Sequence, residues 1–231
     1  VTDDGEPGVG YALRVTERGK FVVLEGLDGA GTTTQTARLA DALRARRVPV
    51  RATREPSDGP IGTMIRQVLA GRIILPTGRA PGWATMALLF AADRMDHVEA
   101  EIEPFLVSGG VVLSDRYDAS SLAYQSVVSG RGGSDPVEWI RTLNRHALRP
   151  DLTIALDVSA DVAAARREAR GEPIQLYEQN EVQRALAVFY RGLAEHMRGD
   201  KVVLLRADGS VDDVHAQVLA TYDEAFGAHD E

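Results

Sequence analysis

Residues 21–36, FVVLEGLDGAGTTTQT, run an apolar segment into three glycines and then into three threonines. A glycine-rich turn between a buried strand and a helix aims several backbone N–H groups at one point, and the helix N-terminus adds partial positive charge. The chemistry this suits is anion binding, phosphate above all. Gly26, Gly29 and Gly31 give the backbone room, and Ala30, Thr32, Thr33 and Thr34 complete the cradle. Against the pattern G-x-x-x-x-G-K-[ST], Gly26 and Gly31 are in register and Thr33 holds the hydroxyl position that meets a nucleotide's magnesium ion. Thr32, however, stands where the pattern has lysine. The loop alone admits a nucleotide enzyme working without that lysine, a disabled relative, or a plain strand-to-helix turn.

Other segments carry residues of matching chemistry. Asp115 and Arg116 follow an apolar run; an Asp there can hold magnesium through water and an Arg can fork across phosphate oxygens, although the Asp could equally cap a helix. Arg54 and Glu55 precede Pro56, in what could also be a simple turn. Phe90 and Arg94, four apart on one helix face, offer a flat base a stacking surface and a hydrogen-bonding fork; a core Phe and a paired Arg would look the same. Arg166, Arg167 and Arg170 lie just before Gly171 and Pro173, as in a flexible lid over a nucleotide, or in a charged surface helix with Glu168 and Glu172. His97, His146, His196 and His215 have no metal-ligand spacing, and Trp83 and Trp139 read as packing or interface residues.

These residues need elements to position them. Five apolar, β-branched segments (20–25, 48–53, 109–114, 152–158 and 201–207) are nearly continuous in hydrophobicity, as strands buried on both faces should be. Helical periodicity fills the intervals, notably in TTQTARLADALRARR, AAARREAR and EVQRALAVFYRGLAEHM. Alternation of strand and helix predicts an α/β fold, a five-stranded parallel sheet with helices on both faces. Such sheets bind ligands at the carboxyl ends of their strands, where each motif above falls. The organisation expected is a flexible polar tail over 1–18 and a single domain over 19–228, with the lid around 166–178.

Composition narrows the classes. The chain has 231 residues, 44% hydrophobic and 26% charged, as in ordinary globular proteins. A net charge of −8 argues against nonspecific binding to nucleic acid or anionic membrane. Without cysteine there is no disulfide, thiolate catalysis or Cys-based metal site. No apolar run reaches membrane-span length and no signal peptide is apparent, so a cytoplasmic location is expected. Lys20 and Lys201 are the only lysines; arginine carries nearly all the positive charge.

The order of EGLDGAGTTTQ, TREP, LLFAADR, DRYDASSLAYQ and PDLTIALDV resembles the thymidylate kinase family of P-loop nucleoside monophosphate kinases, with the loop lysine replaced by Thr32. The resemblance implies a three-layer P-loop kinase sandwich, transfer of the γ-phosphate of ATP to dTMP, Mg2+ as the cofactor and a homodimer. It implies that Asp28 contacts the sugar 3′-hydroxyl and that Arg54 and Arg116 hold the dTMP phosphate. Phe90 would stack on thymine, Arg94, Ser121 and Gln125 would bond it, and Tyr124 would pack below the sugar. Thr33 and Asp115 would hold magnesium, Arg116, Asp115 and the lid arginines would act in catalysis, and the Glu55–Pro56 peptide would be cis. A kinase for a different monophosphate and a lapsed nucleotide-binding homologue are the alternatives.

Overall fold

The computed structural model describes residues 17–130, 136–171, 176–177 and 179–227, without the side chain of Arg170. Most of the expected tail, the lid residues 172–175 and 178, and the role expected of Arg170 therefore lie outside the described residues. Five strands form, β1 (Phe21–Gly26), β2 (Val50–Arg54), β3 (Val111–Asp115), β4 (Leu152–Asp157) and β5 (Val202–Arg206). All pair in parallel, in the order β2-β3-β1-β4-β5. Parallel neighbours require long crossovers, and helices supply them.

Between β1 and β2 lies α1 (Thr32–Ala45); α2 (Pro60–Leu69), α3 (Trp83–His97) and α4 (Glu103–Val107) lead to β3. A π-helical turn, Val98–Ile102, joins α3 to α4. After β3 come α5 (Asp118–Val128) and α6 (Pro136–Leu143), after β4 come α7 (Ala160–Arg170), α8 (Asn180–Arg191) and α9 (Leu193–His196), and α10 (Val211–Phe226) closes the series. The periodic stretch expected to be one helix from 181 to 197 is broken at Gly192, where α8 ends. Among the described residues no helix is long and apolar enough to cross a membrane.

Burial follows strand position. Every residue of β1 and β3 is buried, whereas β2 and β5 are only partly covered. The expectation that all five strands are buried on both faces is thus corrected for these two: each lies at a sheet edge with one neighbour. In β1, Val22 and Leu24 join the large core with Leu39 and Leu43 of α1, while Phe21 and Val23 join a second cluster with Val98, Ile102, Leu106 and Val112. This is the alternation of a strand covered on both sides. Trp83 and Trp139 pack edge to face, 5.4 Å between centroids, tying α3 to α6. Lys20 and Lys201, just ahead of β1 and β5, both lie over the Phe226 ring, 5.9 and 6.0 Å from its centroid.

The registers position the functional segments. Asp115 is level with Leu24 of β1 on one side and with Arg54 of β2 on the other. The chain leaving each of these strands therefore emerges along one edge of the sheet.

Candidate active site

Two cavities open at that edge. One, of about 310 Å³, is lined by residues 28–35 with Arg116, Arg166, Ala207, Gly209, Val211 and Val214. Its floor is the glycine loop and the start of α1. No side chain caps α1 and no acidic residue lies in its first turn, which leaves its N-terminal N–H groups available to an anion. Gly29 has φ 93°, and a Cβ there would come within 2.4 Å of the Ala163 carbonyl oxygen, so α7 can approach the loop only because the residue is glycine. Gly26, Gly29, Ala30, Gly31, Thr32, Thr33 and Thr34 are thus together in one turn, and all but Gly26 line the cavity. Thr32 is buried. Thr33 Oγ1 donates to Asp115 Oδ2, while Asp115 Oδ1 is buried without a partner. That pairing leaves a free carboxylate oxygen next to a hydroxyl at the phosphate loop, a donor set fit for a hard cation. Among the described residues no group of three or more His, Cys, Asp or Glu could hold a metal ion.

The second cavity, about 150 Å³, is lined by Asp28, Glu55, Pro56, Leu69, Phe90, Arg94, Arg116, Tyr117, Ser120, Ser121, Tyr124, Gln125 and Tyr177. Asp28 and Arg116 line both cavities. Arg116 sits at φ 73°, immediately after β3, with its backbone N–H on the Leu24 carbonyl. Its Nη1 donates to Gly26 O at 2.8 Å and Ser120 Oγ at 3.2 Å, and its Nη2 to Asp28 Oδ1 at 2.6 Å. The guanidinium lies 5.4 Å from the centre of the Tyr124 ring. Burial disfavours this cation, but Tyr124, Asp28, Tyr190 and Asp115 outweigh it and hold its pKa well above the ordinary arginine value.

Phe90, Ser121, Tyr124 and Gln125 come together around this cavity. Both amide atoms of Gln125 are buried and make no hydrogen bond of good geometry, with the Tyr177 hydroxyl as a polar neighbour. Arg94 is there too, but its fork is committed to the protein. Nη1 binds Asn144 Oδ1; Nη2 reaches Glu55 Oε2 at 2.7 Å, Tyr117 O at 3.1 Å and Ser121 Oγ at 3.1 Å; only Nε is without a partner. His97, to which no role is assigned from sequence, sits behind this pair, its Nε2 at 2.8 Å from Thr53 Oγ1 and its Nδ1 at 3.4 Å from Glu55 Oε1. The Glu55–Pro56 peptide is cis, as expected. Arg54 stands apart: it is level with Asp115 in the sheet, but its side chain is 59% exposed, bonds Asp58 Oδ1 at 2.9 Å and lines neither cavity.

The lid arginines are on a helix. Arg166 of α7 donates to the carbonyls of Ala207 at 2.9 Å, Ala30 at 3.4 Å and Gly209 at 3.4 Å, beside the phosphate loop. Arg167 donates to Asp28 O at 2.5 Å and Gln183 Oε1 at 3.4 Å. Several residues at the site escape sequence reasoning. Gln183 donates to Tyr177 O at 2.9 Å and reaches Asp28 Oδ2 at 3.4 Å. Its signal was available, since it is the one polar member of the buried stripe Gln183, Leu186, Ala187 and Tyr190 of α8. Glu25 was likewise marked, as the only charge in fully buried β1. Asn144 and Tyr177 carried no mark.

The thymidylate kinase family model matches residues 24–218. The chain belongs to the thymidylate kinase family. A probable thymidylate kinase of Pyrococcus abyssi is 41% identical over 203 residues, spanning 88% of this chain and 95% of its own. Thymidylate kinases of Thermomicrobium roseum (42% over 181 residues, 76% and 81%) and Caulobacter vibrioides (38% over 207 residues, 87% and 94%) are similar as well. The span matched by the family model takes in every residue that lines the two cavities.

Replacing Arg94 would leave Glu55 buried without its ion-pair partner. Arg94→Met should therefore lower unfolding free energy by roughly 3–5 kcal/mol. Arg54→Met, on an exposed pair, should change it by no more than about 0.5 kcal/mol. Urea denaturation of the two variants measures the contrast.

Proposed function

We infer that the protein is a dTMP kinase, transferring the γ-phosphate of ATP to the phosphate of dTMP to give dTDP and ADP. The carrying observation is the wall of Asp28 and Arg116 common to two cavities, one floored by a phosphate loop and one lined by the Phe90 ring and the Gln125 amide. A phosphoryl group crossing between them need travel only past that wall. The chain's membership of the family supports dTMP as acceptor. Thr32 in the lysine position is the one feature that favours a lapsed homologue, and against it stand Arg116, Asp28, Phe90 and Gln125, which line the cavities.

In this reading the β- and γ-phosphates of ATP take the N–H groups of residues 29–34. Arg116 bonds the transferred group and the acceptor phosphate, and Asp115 stands beside it. Asp28 takes the sugar 3′-hydroxyl while holding Arg116 in place. Thr33 and Asp115 would hold Mg2+, with phosphate oxygens and water completing its shell. What the ion supplies when bound is neutralisation of charge on the β- and γ-phosphates. No covalent intermediate is needed, since positioning and charge neutralisation carry such transfers. On the acceptor side, Phe90 gives thymine a stacking face, and the Gln125 amide offers a donor and an acceptor side by side. Ser121 and the Arg94 Nε complete the edge, and Tyr124 packs below the sugar. Arg54 could reach the acceptor phosphate only by leaving Asp58. The protein works in the cytoplasm as a homodimer in this reading, joined through the face where α3 and neighbouring α2 expose Leu88, Met95 and Met64. Light scattering at micromolar concentration should give twice the chain mass, and a monomer would count against that interface.

A buried amide that reads a base edge discriminates strongly against the wrong edge. Coupled ADP release should be fastest with dTMP, slower with dUMP, and slight with dCMP and purine monophosphates. Equal rates across the panel would remove the base-reading assignment.

Thr32 should slow the reaction without abolishing it. A lysine there would make charge-assisted bonds of roughly 1.5–3 kcal/mol each, against about 0.5–1.5 for a neutral hydroxyl. An uncompensated deficit of roughly 2–4 kcal/mol corresponds to about 30- to 1,000-fold in rate. Arg166, already beside Ala30, is the cation placed to recover part of it. Thr32→Lys should raise kcat or leave it unchanged, and Arg166→Ala should reduce kcat more in the native background than in Thr32→Lys. Activity that appears only in Thr32→Lys would mark the native chain as lapsed.

A further inference from the structure

Glu25 is a charged residue at 0% exposure in the middle of the sheet, and no step above uses it. Its Oε1 accepts from the backbone N–H of Tyr117 at 2.8 Å and of Ser120 at 3.1 Å. Its Oε2 accepts from Ser120 Oγ at 2.6 Å and Tyr190 Oη at 3.1 Å. Helix α5 has no side-chain cap of its own, so Glu25 takes the capping role from the neighbouring strand. The capped turn begins one residue after Arg116, whose positive φ is unfavourable for a residue with a Cβ. An ionised carboxylate can only accept hydrogen bonds. The Ser120 proton is therefore committed to Glu25, and its lone pair is left facing Arg116 Nη1 at 3.2 Å.

We propose that Glu25 is a positioning residue for phosphoryl transfer: from beneath the site it fixes the turn at Arg116 and sets the Ser120 hydroxyl to accept from the Arg116 guanidinium. The assignment rests on the role given to Arg116 in the kinase reading. It also carries a pH signature. The groups facing Glu25 are Arg116 and the Tyr117 N–H from the turn after β3, Asp118, Ser120 and Tyr124 from α5, and Tyr190 from α8. Burial pushes the Glu25 carboxyl up to about 7; Arg116, Ser120 and the Tyr117 N–H hold it back, and Asp118 adds to the rise. Once protonated, Glu25 becomes a donor, so the Ser120 oxygen must share its lone pairs between Glu25 and Arg116 Nη1, with Tyr190 Oη at 3.2 Å as the acceptor left for its proton. Because the folded value lies above the ordinary one of 4.5, the proton favours the folded state, and that contribution is lost as pH rises through about 7. Charge on Glu25 thus serves the site at the expense of stability.

The test measures kcat and both KM values with ATP and dTMP, from well below to well above pH 7, for the native protein, Glu25→Gln and Ser120→Ala, with melting temperatures at each pH. Native kcat should fall as pH drops through about 7. Glu25→Gln should lower kcat above that pH by roughly 10- to 100-fold, the scale of a displaced catalytic group, with both KM values within about threefold. It should also lose the acid limb and melt no lower than native at alkaline pH. Ser120→Ala should lose kcat in the same direction, by a smaller factor. Native kcat in Glu25→Gln, or an unchanged acid limb in it, overturns the proposal. Should Glu25→Gln fail to fold, native kcat in Ser120→Ala overturns it. A native protein with no dTMP-dependent turnover would instead defeat the kinase reading, and this proposal with it.

Discussion

The register between β1 and β3 is the constraint on which the site depends. Because Leu24 lies level with Asp115, and Arg116 N–H closes onto the Leu24 carbonyl, the loop after one strand must face the turn after the other. From that single alignment follow the contacts of Thr33 with Asp115 and of Arg116 with Gly26 and Asp28. A shift of one residue would send alternate side chains to the opposite face and break all of them together. Both strands are buried throughout, with Val22 and Leu24 in one core cluster and Phe21 and Val23 in another, so a slip would exchange side chains between the two clusters.

Charge inside the protein is arranged in closed groups. Arg94 and Glu55 are nearly inaccessible, and such a pair gains little net stability once desolvation is counted. What it confers is orientation: four acceptors on Arg94 fix α3 against Glu55, the end of β3 and Asn144 after α6. Arg116 is the second such group, held by a carbonyl, a carboxylate and a hydroxyl while its guanidinium borders both cavities. The site is therefore stiff where phosphate must be held. Arg166, which α7 brings to the loop, is held through backbone carbonyls, which constrain a side chain less than an ion pair does.

Local pattern and glycine placement made the sheet and the phosphate loop legible in the sequence, because both depend on neighbours in the chain. The edge strands were read as more buried than they are, since hydrophobicity alone does not say how many neighbours a strand has. Gly192 splits what periodicity read as one helix. At the site, Phe90, Gln125, Asp115 and Arg116 could be named from motif order, but the commitments of Arg94 could not. Its partner Asn144 is fifty residues away, and only packing decides which of its nitrogens remains free. Arg54 shows the same limit, since a carboxylate four residues on draws it away from the cavities.

The two lysines lie at the amino ends of β1 and β5, over Phe226, whereas both cavities open at the carboxyl ends. A strand of six residues separates these ends by roughly 20 Å. Side-chain amine chemistry, whether a fluorophore ester or coupling to a sensor surface, is thereby confined to the far side of the sheet. The molecule can be tethered or labelled through lysine with its nucleotide entrance facing outward.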